Sequence, residues 1–403
     1  MQADAKKVAN REHSAETFQT ERVVTVAASH FSHDIFSTFI SAALPLIREK
    51  FALTYSVVGT LPVFAQLPIL LTPFIGYLAD RFSVRYFIIF APAVTATLMG
   101  MMGLAPSYTI LALLLLVTGF SIAAFHAPAS AMIGALAGNR VGRGMSIFMA
   151  AGELGRAAGP ILFAWGVLRF GLEGLWRLSI IGWIASAVLF WRLHNVKAAK
   201  RASDSRTLRE VVPTLLRFFP VLVWFMLTRN MMVAAVTTYL TTFMNDVVQV
   251  DFRVAAGALS ILEGAGVVGA LVSGTVSDWF GRKRILFFLF ISAPLLLLAF
   301  LYAPPIFAIP LLIALGFTAI THTPVYFAIV QDYFPDNRAL ANGVFLALSF
   351  TIRSLNILLL GTIADNYGLE RAYLVAALVA STAILGLPFL PTGKKQITPL
   401  PTN

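Results

Sequence analysis

Three observations make this sequence an all-α membrane protein, with twelve transmembrane helices in two pseudo-symmetric six-helix bundles. First, the 403 residues are 58% hydrophobic and only 12% charged, with a mean hydropathy of +0.81. Soluble domains carry about a quarter charged residues, so this chain has too little polar side chain to cover a fold in water. Second, apolar stretches long enough to cross a bilayer recur along the chain, separated by charged or Pro/Gly-marked breaks; a span needs roughly 20 such residues. Third, the second half of the chain repeats the first at an offset of about 197 residues.

Residues 1–22 are polar and mixed in charge, and are read as a cytosolic tail. Helices are predicted at 23–47, 55–79, 84–104, 108–136, 142–168 and 175–194, forming a first bundle over 23–194. The basic stretch 195–213 is read as a cytosolic linker, touching anionic lipid heads. Helices at 214–243, 254–277, 285–303, 306–330, 340–364 and 372–391 form a second bundle over 214–391, and 392–403 is a second cytosolic tail. With both termini in the cytosol, 21 of the 30 Lys and Arg residues fall on the cytosolic side and six on the other. That asymmetry is a positive-inside signal, and it accounts for the net charge of +11 without nucleic acid. The remaining three, Arg156, Arg229 and Arg353, lie inside predicted spans. Without cysteine there is no disulfide, thiolate nucleophile or cysteine-ligated metal.

The repeat is read from five matches in the same order. Gly76 to Arg85 aligns with Gly274 to Arg284, and Gly119-Phe120 with His126 and Pro128 aligns with Gly316-Phe317, His322 and Pro324. Asn139-Arg140 aligns with Asn337-Arg338, Arg156 with Arg353, and Leu172 to Trp176 with Leu369 to Tyr373. Two parallel six-helix repeats with a site between them near mid-membrane are one transporter architecture. The loop pattern G-x-x-x-D-R-x-G-R-K, nearly complete at Gly274 to Arg284 and with Ser83 replacing a glycine in the first copy, resembles the major facilitator superfamily. Four further segments stand out: Ser29-His30-x-x-x-Asp34, Pro45-Leu46-Ile47-x-Glu49-x-Phe51-x-Leu53, Phe125-His126 and Gly155-x-x-x-Gly159-Pro160. Through them, and over almost the whole chain, the sequence resembles the fosmidomycin-resistance family of bacterial drug exporters. That family follows Phe-His with Pro-Glu, where this chain has Ala127-Pro128, and Glu153, Arg156, Arg229 and Arg353 stand outside its pattern. The resemblance implies an inner-membrane carrier, and the Gly155–Pro160 element is associated there with antiport.

No phosphate-gripping G-x-x-x-x-G-K-[ST] occurs, so the energy is expected to come from a gradient or from the substrate itself and not from ATP. Charges inside spans are expensive and mark function by default. His30 and Asp34, four apart in the first helix, share a face with His33 adjoining, a carboxylate beside groups that titrate near neutrality. Asp34, Glu153, Glu263 and His33 are therefore the expected proton-handling groups, with a fixed Asp–His brace as the plain alternative. Metal binding by His30, His33 and His126 is a lesser reading, because no tight motif such as H-E-x-x-H is present; no metal or cofactor is expected. Glu153 and Arg156, three apart, can pair within one helix. Arg353 and Arg229 have no acid nearby on their own helices, so partners must come from elsewhere, Glu263 among them. Arg156 and Arg353, repeat-related, are expected to face each other across a cavity as a fork for carboxylate or phosphonate. The expected substrate-binding set is His30, His126, Arg156, Arg229, His322 and Arg353. Asp80, Arg81, Arg85, Asp278, Arg282 and Arg284, at cytosolic helix ends, are expected to be gating charges. The chain is thus read as a non-enzymatic, monomeric carrier in the bacterial inner membrane. It is expected to move a small, anionic organic compound by proton-coupled efflux, or, in the alternative, to take up or exchange an anionic metabolite or metal chelate.

Overall fold

A computed structural model describes residues 18–71, 85–138, 141–194, 208–334 and 338–390. Within them the chain is helical almost throughout. The first half comprises α1 (Thr20–Ser37), α2 (Phe39–Lys50), α3 (Tyr55–Gln66), α4 (Arg85–Gly100), α5 (Tyr108–Leu136), α6 (Val141–Phe170) and α7 (Ser179–Leu193). The second comprises α8 (Leu208–Thr238), α9 (Leu240–Asp246), α10 (Phe252–Phe280), α11 (Arg282–Tyr302), α12 (Ala308–Ala319), α13 (His322–Tyr333), α14 (Arg338–Tyr367) and α15 (Leu369–Ser381). Ten of the described helical stretches are long and apolar enough to cross a membrane. The first predicted span corresponds to α1 with α2, and the second in part to α3 with the 3₁₀ turn Leu67–Leu71, beyond which the residues lie outside the described set. Packing repeats with the sequence: α1 lies on α6 as α8 lies on α14, α3 on α5 as α10 on α12, and α4 on α7 as α11 on α15.

Among the described residues, three predicted helices are interrupted. The first span breaks at Thr38, the seventh at Tyr239 and the tenth at Ile320–Thr321. The break in the first is followed by Pro45, which cannot donate to the carbonyl of Ser41. That carbonyl instead accepts from the Thr241 hydroxyl of the other half at 2.7 Å, so the orphaned acceptor is satisfied by an interhalf contact. The seventh span begins at Leu208, six residues inside the expected linker, and the twelfth tightens to a 3₁₀ helix over Thr382–Phe389.

The two halves meet mainly along α6 against α10 and α3 against α14. We call the end that carries the Phe51–Thr54 turn the distal end, and the opposite one the terminal end. At the distal end one apolar cluster runs through both halves, from Phe39, Leu44 and Phe163 to Tyr239, Phe243, Ile357 and Tyr373. Toward the terminal end the buried apolar residues form two clusters, one in each half. The halves therefore share a core at one end and keep separate cores at the other. Large apolar side chains such as Ile161, Trp165, Ile184, Phe288 and Leu295 are exposed on the outside, as a lipid-facing surface requires.

Candidate functional site

Span 5 brings the first cluster together by what it lacks. A Cβ on Gly152 would sit 2.3–2.7 Å from the His30 ring, one on Gly155 2.5 Å from the Phe31 carbonyl oxygen, and one on Gly159 2.5 Å from that of Ile35. This glycine stripe on α6 lets α1 approach backbone to backbone, and it pushes His30 and Asp34 into the bundle. His30 stacks on Phe148 at 4.0 Å and His33 on Phe125 at 4.4 Å. His30 Nδ1 lies 2.8 Å from the Phe148 carbonyl oxygen, and His126 Nδ1 2.8 Å from that of Ile122. Carbonyl oxygens only accept, so both Nδ1 atoms carry the proton. The two Nε2 atoms face each other at 3.2 Å, and the Asp34 carboxylate lies 3.3 Å from His30 and 3.5 Å from His126. His33 donates from Nδ1 to Asp34 at 2.8 Å, and its Nε2 meets the Thr95 hydroxyl at 3.1 Å.

A second group lies where the halves meet at mid-span. Arg156 pairs with Glu153 one turn away on α6. Glu263 on α10 stands within electrostatic reach of Arg156 and of Arg353, and the two arginines are within reach of each other. Arg353 also donates to the Thr237 hydroxyl at 3.0 Å. The side chains of His126 and Arg156 retain 40% and 36% exposure although they lie among interior helices, so they border an open space and not packed protein. The electrostatic reach of Arg156 extends to Asp34, which joins the two groups into one site.

The remaining expected residues fall differently. Arg229 is fully buried and does not reach that space; none of its three nitrogens has a hydrogen-bond partner, and its guanidinium lies 5.5 Å from the centre of the Phe290 ring. His322 is buried beside it, bonded to the Ala319 carbonyl oxygen at 2.8 Å and edge-on to Tyr326. In this conformation both belong to the interior of the second bundle and are not cavity contacts. Of the expected gating charges, Asp80 and Arg81 lie outside the described residues, as does the Asp278 side chain. Arg85 leans on the Tyr86 ring, Arg282 donates to Ser277 and to Asp332 at 3.4 Å, and Arg284 is exposed.

A polar latch that sequence reasoning missed sits at the distal end. Arg48 pairs with Asp246 at 2.8 Å, and the Tyr55 hydroxyl donates to the same carboxylate at 3.0 Å. Asp365 accepts from the backbone N–H groups of Tyr55 and Ser56 at 2.6 and 3.0 Å, capping α3 from the other half. Tyr239 places its hydroxyl 3.1 Å from the carbonyl oxygens of both Tyr55 and Ile357. Gly59 and Gly361 make room for it, since a Cβ at either would meet that oxygen at 1.9 and 2.8 Å. Above the latch lies a pocket of about 470 Å³ lined by Pro45, Arg48, Glu49 and Asp246. The one signal in the sequence was the pair of isolated acids, Asp246 and Asp365, at the ends of predicted spans.

Two repeat-related bundles, a shared core at one end only, and charges gathered between them at mid-depth define a membrane carrier and not an enzyme. The chain belongs to the Major Facilitator Superfamily, whose family model matches residues 26–356. It is similar to the fosmidomycin resistance protein of Escherichia coli (strain K12), at 24% identity over 92% of this chain and 93% of that one. It is also similar to the uncharacterized MFS-type transporter YfnC of Bacillus subtilis (strain 168), at 22% identity over 93% of each chain. Among solved structures it resembles a bacterial homolog of the human lysosomal transporter Spinster in an inward-facing, occupied conformation. That match has a TM-score of 0.75 at 16% identity, over 93% of this chain and 97% of that one. A mutant of the nucleoside transporter NupG matches with a TM-score of 0.74 at 13% identity, over 91% and 99%.

Proposed function

We propose that this transporter is a proton-coupled secondary carrier that exports a small organic anion across the bacterial inner membrane, working as a monomer with both termini in the cytosol. The observation that carries the coupling of proton to anion, in whichever direction each moves, is Glu263 within reach of both Arg156 and Arg353. An incoming carboxylate or phosphonate takes the place of the Glu263 carboxylate on the two guanidiniums, whose planar forks suit such groups. A carboxylate displaced from its cations inside a low-dielectric site favours its neutral form, so one side chain links anion occupancy to proton occupancy. With the positive-inside orientation the latched distal end faces away from the cytosol, and the conformation is open inward. Export is supported by the name of the Escherichia coli relative, and by the membrane potential, which drives an anion outward by about 2.3 kcal/mol per charge per 100 mV.

A second reading, uptake with a proton in the same direction, has the sign of that electrostatic argument in its favour. Protonated Glu263 leaves both arginines free for the anion. One measurement separates the two: proteoliposomes holding a pH-sensitive dye, loaded with fosmidomycin or a simple phosphonate. Export by exchange moves protons against substrate, and cotransport moves them with it. Glu263→Gln is expected to abolish proton movement while keeping substrate counterflow, and Arg353→Ala to abolish both. Proton movement that survives Glu263→Gln unchanged refutes the assignment.

A further inference from the structure

We propose that His30, Asp34 and His126 form a binding site for one borderline divalent transition-metal ion, of the Zn²⁺ or Co²⁺ type, within the transport site. The three residues offer donor atoms all within 4.8 Å of one another. The two Nε2 atoms are 3.2 Å apart, and each lies near a different oxygen of Asp34, His30 3.3 Å from Oδ2 and His126 3.5 Å from Oδ1. Tetrahedral bonds of about 2.0–2.1 Å place neighbouring ligands about 3.3–3.4 Å apart, so the two nitrogens already stand at ligand spacing with the carboxylate spanning them, and a small rotation of that carboxylate brings one oxygen onto a shared ion. The electron pairs match as well. Because both Nδ1–H groups are committed to backbone carbonyls, two imidazole lone pairs and a carboxylate point at one another. Three acceptors at that range repel unless a proton or a metal ion stands among them.

The outer contacts are those a metal site uses. Ligating histidines give their second N–H to a carbonyl or carboxylate, which fixes tautomer and ring plane, and here both do. His33 holds one oxygen of Asp34 at 2.8 Å, orienting the carboxylate. Two imidazoles and one carboxylate suit Zn²⁺, Co²⁺ or Ni²⁺ better than Mg²⁺ or Ca²⁺, which take oxygen shells. A soft Cu(I) ion prefers sulfur donors, and this set has none. His30 and Asp34 are buried, whereas the His126 side chain is 40% exposed, so the fourth coordination position opens on the side of the interior space. Arg156 and its partner Glu153 are the charged neighbours there. Resting on the carrier reading above, an organic anion gripped by Arg156 and Arg353 can supply the fourth ligand, which makes a metal chelate the substrate class.

Tag-free, full-length protein titrated with Co²⁺ alone tests the site. The wild type is expected to develop the intense visible bands of tetrahedral cobalt at one equivalent, and Zn²⁺ to bleach them. His126→Gln, on the open side, and Asp34→Asn are each expected to weaken binding by at least about tenfold. His194→Ala, remote from the cluster, leaves it unchanged. A wild type without the bands overturns the site whatever the variants do, and equal loss in His194→Ala overturns the assignment. Proton-coupled flux in a protein that shows no cobalt bands removes the metal site and leaves the carrier reading standing; bands without flux do the reverse.

Discussion

Asp365→Asn should loosen the distal latch by an amount that can be worked from its contacts. The carboxylate accepts two N–H bonds at 2.6 and 3.0 Å from the first turn of α3. A charge at a helix N-terminus stabilises by about 0.3–1 kcal/mol when exposed, and charge-assisted bonds are roughly twice as strong as neutral ones. Asparagine keeps one acceptor and loses the charge, and Asp365 is exposed to solvent, so the closed state should lose about 1 kcal/mol. At a factor of ten per 1.4 kcal/mol, that is about fivefold more of the distally open state. The shared apolar cluster remains, so the latch loosens without falling open. The chain has no cysteine, which allows a clean probe. Ile357 is fully buried, with its side chain against Gly59 of the other half, so Ile357→Cys reacts with a maleimide only when α3 and α14 part. Its alkylation rate tracks the open fraction and should rise about fivefold with Asp365→Asn. Asp251→Asn, an acid whose partner Arg253 belongs to its own half, should leave the rate alone. Equal rates in parent and Asp365→Asn refute the view that this carboxylate holds the gate.

Other expectations follow from the same geometry. Gly152→Ala drives a methyl group into the His30 ring, which must move to restore contact distance; cobalt affinity should fall at least about tenfold while circular dichroism stays helical. Tyr239→Phe removes a hydroxyl shared between the Tyr55 carbonyl of the other half and the Ile357 carbonyl of its own; it should weaken the closed state by about 0.5–1.5 kcal/mol, read as faster Ile357→Cys alkylation. Arg229→Met replaces a buried guanidinium whose nitrogens lack hydrogen-bond partners; exchanges of buried charge for apolar volume are often neutral or stabilising by about 1–4 kcal/mol. Its melting temperature should hold or rise, and a steep fall would mean that the cation is held by contacts other than these.

What the sequence makes legible follows the range of the interactions. Span positions follow from runs of apolar residues, and the Glu153–Arg156 pair and the approach of His30 to Asp34 follow from helical spacing. The doubled architecture follows from the repeat. The breaks at Thr38 and Tyr239 do not, and the hydroxyl bonds found there, Thr241 to Ser41 and Tyr239 to Tyr55, join residues far apart in the sequence. The latch was invisible for the same reason: Asp365 meets Tyr55 across 310 positions, and an acid at a span end looks like any solvated loop charge. Gly155 and Gly159 stand in a readable motif, but Gly152 looks incidental until the His30 ring is seen against it. Arg229 misled in the opposite sense. Being an intramembrane cation, it was expected in the cavity, yet the charge lies in a packed bundle facing Phe290 and Tyr326.

The two halves share a backbone plan but carry different chemistry at equivalent positions. Where the first half sets His30, His33 and Asp34 on α1 against His126 on α5, the second sets Arg229 and Asn230 on α8 against His322 on α13. The first copy is thus a cluster of electron-pair donors that attracts a cation, whereas its cationic counterpart is packed away from the open space; the anion-binding side of the site is the pair of Arg156 from the first half and Arg353 from α14. A substrate that satisfied both at once would carry a positive centre and an anionic arm. A bare organic anion engages the arginines and leaves the imidazole–carboxylate cluster idle, and a bare metal ion does the reverse. If the division is functional, cobalt and a phosphonate added together should stabilise the protein against heat by more than the sum of their separate shifts, because each presents the other to its half of the site. Strictly additive shifts would mean that the two clusters serve different ligands.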